Sequence, residues 1–424
     1  MNNHSKKFTD PFSVLGVSLI LLFLSSFFWM PDTGFFGDIG CWKNWACAIL
    51  DGGIGKAYQH PDINYHPLFL YVLKGYAILF GDQYGIYTHI NILKCFVFLF
   101  DISAVALIAF YLKKLKLNPL LSLFILFNPA FWYDTILWGQ IDTIHTFFCF
   151  AAIILILENK PIVGALIWVL ALLVKLQAII FVPLLAILLI PVYLEKPNVL
   201  IKSIIGGLML ILLFISPFIM NGEIHNLWRV VTGAVGSYPY ISLHAYNFWH
   251  IIFPGKDLMW VSDQTNYFFM SLKNYGLLLY ILALLFSLYP IGSFILKNKK
   301  SVAAFSLSKE FISMLFLSTG LICLDFFFFN TQMHERYVHP AILFFGIAAI
   351  LSRKYIPFII ISIAYFLNLD GLIQQMKFSD AVYHFPGLYQ PLTIAICFAL
   401  VFIMGHYQLY KTVYTLNLEN SKLS

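Results

Sequence analysis

Between Pro161 and Leu194 the chain runs for 34 residues with one charged side chain, Lys175. A membrane-crossing helix needs about 20 apolar residues to span a hydrocarbon layer of roughly 30 Å. In hydrocarbon every backbone N–H and C=O must be satisfied within the chain, so such a stretch folds as helix. Runs of this kind recur along the whole sequence. Twelve are read as membrane helices, at about 12–30, 90–112, 118–134, 142–157, 161–174, 177–194, 200–219, 267–296, 310–329, 337–351, 355–371 and 389–410. The expected fold class is all-α, a polytopic membrane helix bundle of about twelve transmembrane helices. Composition agrees, because 60% of the 424 residues are hydrophobic and only 11% are charged. A soluble domain carries roughly 25% charged residues. The same balance excludes a disordered, collagen-like or disulfide-rich secreted chain. It also excludes a nucleic-acid partner, since the net charge of +6 rests on 26 scattered Lys and Arg. No internal repeat is visible, so residues 1–424 are expected to form a single membrane domain.

An even number of spans puts both termini on one side. Lys6 and Lys7, Lys113 to Lys116, Lys297 to Lys300, and Arg353 with Lys354 fall on that side, as do sixteen of the 26 basic residues in all. The positive-inside rule makes it the cytoplasm. The other face carries loops at 31–66, 220–266 and 372–388 and most of the acidic residues. Long loops carry function more often than short ones. Residues 66–81 are apolar but short, with Lys74 in the middle. Counting them as a span would turn Lys113, Lys114 and Lys116 outward. They are read instead as a helix in the outer interface, so the first outer loop with its interfacial helices covers 31–89. The first apolar stretch has no small-x-small site after it and is expected to stay as an anchor. Cys41 and Cys47 share an outer loop, either as a disulfide or as two packed thiols.

Two motifs mislead. GGIGKA at Gly52 to Ala57 resembles a phosphate loop but has Leu50 where the first glycine is required. Its glycines are read as the end of an interfacial helix. HERYVH at His334 to His339 spaces its histidines five apart, where a zinc-protease helix needs four. The informative polar residues sit at outer helix ends. Asp38 precedes Ile39, Trp42, Trp45, Ala46, Ile49 and Leu50, which have helical spacing. It is either an N-cap or a general base at the interface. Trp138 to Asp142 reads WGQID, with Asp134 one turn earlier. Lys175 and Gln177 lie between two apolar runs, where a lysine can snorkel to water. Asp325 is an intramembrane carboxylate, a functional candidate by default. Arg336 is one of only three arginines, beside His334 and Glu335. A guanidinium suits a phosphate bidentately, while a structural pair with Glu335 or Asp325 is the plainer alternative.

In order, these segments resemble the GT-C superfamily of polytopic glycosyltransferases. The best likeness is to bacterial proteins related to GPI mannosyltransferase II. A more distant one is to the dolichyl-phosphate-glucose glucosyltransferases. The loop with Asp38, Trp42, Trp45, Gly53 and Tyr58 is similar to that superfamily's catalytic loop. Tyr65-His66-Pro67-Leu68 resembles its Tyr-Pro-Pro-Leu segment, with His66 in place of a proline. Asn128-Pro129 with Trp138 to Asp142, then Lys175-Leu176-Gln177 with Pro183, resemble the next blocks. Met333 to Tyr337 with Pro340 is the most specific match. Residues 200–310 carry no resemblance.

The resemblance implies transfer of a hexose, mannose by analogy, from a polyprenyl-phosphate donor with inversion on the non-cytoplasmic face. Asp38 would be the general base. Arg336, His334 and Lys175 would bind the donor phosphate, and Asp142, Gln140, Glu335, Tyr337 and Gln177 the sugar or acceptor. The acceptor would be a glycan, lipid or protein hydroxyl. No metal and no separate cofactor is called for. The Lys-, Ile-, Phe- and Asn-rich composition fits a bacterial inner membrane with cytoplasmic termini. The competing classes are a transporter or lipid-linked glycan flippase, and a glycan polymerase or ligase.

Overall fold

The structure, a computed structural model, describes residues 10–233, 236–298, 302–377 and 386–423. Lys6, Lys7, Lys299 and Lys300, used above for sidedness, lie outside the described residues. The helices in chain order are α1 (Pro11–Trp29), α2 (Phe36–Gly52), α3 (Pro67–Phe80), α4 (Gln83–Thr88), α5 (Ile90–Lys114), α6 (Leu123–Leu126), α7 (Pro129–Tyr133), α8 (Asp142–Leu157) and α9 (Pro161–Val174). They continue with α10 (Val182–Glu195), α11 (Pro197–Met220), α12 (Ile224–Gly233), α13 (Phe248–Ile252), α14 (Leu272–Asn298), α15 (Lys309–Phe329), α16 (His339–Ser352), α17 (Ile356–Lys377) and α18 (Pro391–Leu423). Strands are confined, among the described residues, to four of two residues each: β1 (Ser242–Leu243), β2 (Asn266–Tyr267), β3 (Met270–Ser271) and β4 (Met333–His334). The chain is all-α and polytopic.

Among the described residues, eight helices are long and apolar enough to cross a membrane, or nine if the bent pair Pro119–Leu126 and Pro129–Trp138 counts as one span. The chain is therefore an integral membrane protein. The twelve runs read from sequence do not all become full-length helices. Those at 142–157, 161–174 and 337–351 become α8, α9 and α16, of 16, 14 and 14 residues. At 1.5 Å per residue these reach only about 21–24 Å. An apolar run reports hydrophobicity and not helix continuity. Lys160 and Pro161 start α9, and at Lys175 the backbone turns extended, with φ −154° and ψ 132°.

The chain divides into two compact units. The first holds residues 1–126, 134–179 and 192–237. Its core gathers the aromatic face of α2 with α3 and the 3-10 turn Ile54–Gln59. Trp42 meets Trp45, Tyr65 and Phe69 at ring-centroid distances of 5.1, 4.9 and 4.8 Å. Such pairs contribute about 0.5–1.5 kcal/mol each beyond burial. Ile39, Trp42, Trp45, Ala46 and Ile49 are buried, as their spacing predicts, and Leu50 packs against the cluster. Gly52 ends α2 and Gly53 caps it, as read from GGIGKA. Cys41 and Cys47 are free thiols on that one helix. Six residues rise about 9 Å, beyond the reach of a disulfide. Lys94 on α5 is 2% exposed, and its ammonium donates to the carbonyls of Pro31 at 2.9 Å and Thr33 at 2.7 Å.

The second unit holds residues 127–133, 180–191 and 238–424. Its centre is α15, buried along almost its whole length by α14, α16 and α18. Between membrane helices, dispersion and close approach do the work that the hydrophobic effect does in water. Gly320 illustrates it: a Cβ there would sit 2.8 Å from the ring of Phe345.

Candidate functional site

In the first unit, the WGQID segment docks on the start of α2. A π-helical turn, Asp134–Trp138, closes when the amides of Gly139 and Gln140 both donate to the Asp134 carbonyl at 2.9 Å. Gly139 then takes φ +86°, and a Cβ there would lie 2.5 Å from Ile39 Cδ1. Only glycine meets both demands. The Phe35 amide donates to the Trp138 carbonyl at 2.8 Å, and the two rings stack at 4.6 Å. The Trp42 indole donates to the Gly139 carbonyl at 2.9 Å. The Trp138 indole donates to Asp38 Oδ2 at 2.7 Å.

Asp38 is not the N-cap of α2. That position is Phe35, and Asp38 lies in the first turn. The unpaired amides of the first turn favour a negative charge there. Its carboxylate is partly exposed, and Oδ1 makes no hydrogen bond among the described residues. One oxygen is held and the other is available to take a proton.

Asp142 opens α8 fully buried and pairs with the ammonium of Lys175. His145 Nδ1 lies 3.8 Å from the same carboxylate oxygen. Lys175 therefore neither snorkels nor stands as an isolated cation. Gln140, also fully buried, accepts from the Tyr65 hydroxyl at 3.2 Å, and its Nε2 has no hydrogen-bond partner among the described residues. Gln177 is buried in the 3-10 turn Leu176–Phe181. His66 was absent from the candidates read from sequence. Its Nδ1 lies 2.8 Å from the Leu172 carbonyl, which fixes the proton on that nitrogen. Burial holds its pKa below the usual histidine value, so the ring is neutral and Nε2 is an unpaired acceptor among the described residues. The Tyr65-His66-Pro67 spelling was the signal that could have found it.

In the second unit, the segment from Asn330 to Tyr337 is held by the long loop before α14. β1 and β4 pair in parallel, Ser242 opposite Met333 and Leu243 opposite His334. Asp263 accepts from the Thr331 hydroxyl at 2.8 Å and the Gln332 amide at 2.7 Å. The Trp249 indole donates to the Phe329 carbonyl at 3.0 Å. Residues 238–271 thus brace the Arg336 segment. Arg336 Nη1 donates to Glu335 Oε1 at 2.7 Å, and the guanidinium carbon lies 5.9 Å from the Tyr337 ring centroid. His334 Nδ1 is 3.9 Å from Glu335 Oε2, and its ring lies 5.2 Å from that of Tyr337. Of the two structural pairings weighed for Arg336, the structure forms the one with Glu335. Asp325 bonds elsewhere.

His334 ends a strand and His339 stacks on Phe131 at 5.5 Å, so HERYVH is not a zinc-binding helix. Among the described residues no group of three or more His, Cys, Asp or Glu is placed to hold a metal ion. No protein-family model matches the chain, and no curated protein matches it.

Proposed function

We propose that this protein is a membrane glycosyltransferase of GT-C type that moves a hexose, mannose by analogy, from a polyprenyl-phosphate donor to an acceptor hydroxyl. The reading includes the finer membrane topology: about twelve crossings with short helices counted, cytoplasmic termini, a bacterial inner membrane, and a reaction on the opposite face. One observation carries it. Asp38 is a partly exposed carboxylate at a helix start, with one oxygen held by Trp138 and the other unbonded among the described residues. A general base needs that combination of fixed direction and open access.

In the scheme, Asp38 takes the proton of the acceptor hydroxyl as its oxygen attacks the anomeric carbon. The bond from that carbon to the phosphate oxygen breaks, the lipid phosphate leaves with the electron pair, and the configuration inverts. The first unit offers Gln140 and Asp142 for sugar hydroxyls. Both cations pair with a buried carboxylate, Lys175 with Asp142 and Arg336 with Glu335, and Lys175 ranks behind because an ammonium lacks the planar fork. Arg336 carries the fork that a phosphate oxyanion fits.

The test is release of polyprenyl phosphate from labelled polyprenyl-phosphate hexoses by the purified protein in nanodiscs with a membrane glycolipid extract. Release by the wild type and none by Asp38→Asn is expected. No release with any hexose overturns the reading, and equal release by the variant eliminates Asp38 as the base.

A further inference from the structure

Three membrane helices of the second unit meet at a buried polar cluster that the transferase reading does not use. Ser287 of α14 and Asp325 of α15 are fully buried, and His406 of α18 is 4% exposed. Ser287 Oγ lies 2.6 Å from Asp325 Oδ2 and 2.9 Å from His406 Nε2. His406 Nδ1 lies 2.9 Å from the Phe402 carbonyl. A carbonyl only accepts, so Nδ1 carries a proton.

The rest follows by counting hydrogens. The serine hydroxyl has one. If it goes to Asp325 as a carboxylate, the serine oxygen must accept from Nε2, and His406 is an imidazolium. If it goes to a neutral Nε2, Asp325 must be a carboxylic acid donating to the serine oxygen. Each satisfied arrangement holds one proton more than a carboxylate beside a neutral imidazole. Without that proton, two acceptors compete for one hydrogen in hydrocarbon, where an unmet polar group costs several kcal/mol. Asp325 Oδ1 has no hydrogen-bond partner among the described residues. A buried carboxylate would need partners on both oxygens, so the neutral acid is the resting form.

We propose that Asp325, Ser287 and His406 form a one-proton binding site that ties α14, α15 and α18 together. The proton moves between Asp325 and His406 through the serine hydroxyl: each oxygen or nitrogen gains one hydrogen as it gives one up, and the cluster keeps zero net charge. Of the other titratable groups on its own helices, Tyr280 interacts with Asp325 and with Cys323, and the Tyr410 hydroxyl donates to the Phe286 carbonyl at 3.0 Å. Those helices also carry Lys273, Tyr275, Tyr289, Lys297, Lys309, Glu310, Cys397, Tyr407, Lys411 and Tyr414. On the elements packed around them, Glu335 and Arg336 are paired, His339 faces Phe131, His250 faces Tyr246, and Asp370 accepts from Tyr133 and Tyr389.

The sign of the linkage is specific. Unfolded Asp titrates near pH 3.9 and unfolded His near 6.5, so above about pH 6.5 the folded chain holds a proton that the unfolded chain lacks. The folded-to-unfolded ratio then falls about tenfold per pH unit until the site itself titrates. Asp325→Asn supplies an amide N–H in place of the acid proton. It should fold and lose that alkaline slope in melts recorded in nanodiscs. An unchanged slope overturns the proposal. A measurement on the wild type stands by itself should the variant not fold. Infrared spectra of carboxyl-labelled aspartate and nitrogen spectra of labelled histidine at pH 7.5 should show an acid at Asp325 or an imidazolium at His406. A carboxylate beside a neutral imidazole overturns it.

Discussion

The indole of Trp138 donates to Asp38 across 100 residues of sequence, at 2.7 Å. The bond joins the WGQID turn to the first turn of α2 and aims the carboxylate. Asp38→Asn keeps the shape and removes the basicity. Turnover of a lipid-phosphate hexose should fall about 10²–10⁴-fold, with melting unchanged within a few degrees. Trp138→Phe keeps the base but loses a charge-assisted bond of about 1.5–3 kcal/mol. It should lower turnover by a smaller factor than Asp38→Asn. Equal losses in the two variants would mean that the indole itself does chemistry.

Arg336→Lys keeps the charge and loses the planar fork. Turnover with purified donor should drop at least tenfold while donor binding persists. If both Arg336→Lys and Asp38→Asn retain normal rates, the transferase reading is wrong.

Asp142 and Lys175 test a different quantity. Removing one partner of a buried pair costs about 3–5 kcal/mol, because the other charge is left uncompensated. Lys175→Met should lower the melting temperature strongly. Asp142→Asn combined with Lys175→Met should recover much of the loss. A double variant as unstable as the sum of the singles would show that the two side chains do not interact.

At acid pH the relevant group is His250, whose pKa is pushed down to about 4, first by burial and then by His244, against Asp257. His66 and His244 are shifted the same way. A histidine with a depressed folded value stabilises the fold fully above about pH 6.5, and that stability is lost as pH falls towards the folded value. Stability should therefore decline from about pH 6.5 to 4, by up to roughly 3 kcal/mol for His250 alone. His250→Gln should flatten part of this acid limb in pH-dependent melts. An acid limb identical to wild type would exclude His250 as its source.

Gly139→Ala meets both a left-handed backbone and Ile39 Cδ1 at 2.5 Å. It should cost about 1–3 kcal/mol from the backbone alone. Ile39→Val in the same chain should relieve the clash but not the strain, so rescue in melts should be partial. Complete rescue would assign the whole cost to packing.

The membrane class and the buried face of α2 were legible in the sequence, since both follow from the period and length of apolar runs. Gly52 and Gly53 were legible as a helix end. The pair between Asp142 and Lys175 was not, because nothing local links a helix start to a break 33 residues later. Asp38 looked like a cap because acidic residues favour helix starts, and only the backbone angles of Phe35 separate the two positions. Helix length was not legible, because hydropathy does not register the backbone geometry that interrupts an apolar run, as at Lys175. The cluster of Ser287, Asp325 and His406 was half visible: Asp325 stood out as a charge in a Phe-rich helix, while a serine and a histidine on distant helices carried no signal.

The ammonium of Lys94 gives the loop before Asp38 its footing. The backbone that leads from α1 into α2 is moored to α5 at Pro31 and Thr33. The entry into α2, and with it the start of the helix that carries Asp38, therefore depends on one ammonium that lies 61 residues beyond Thr33 in the sequence.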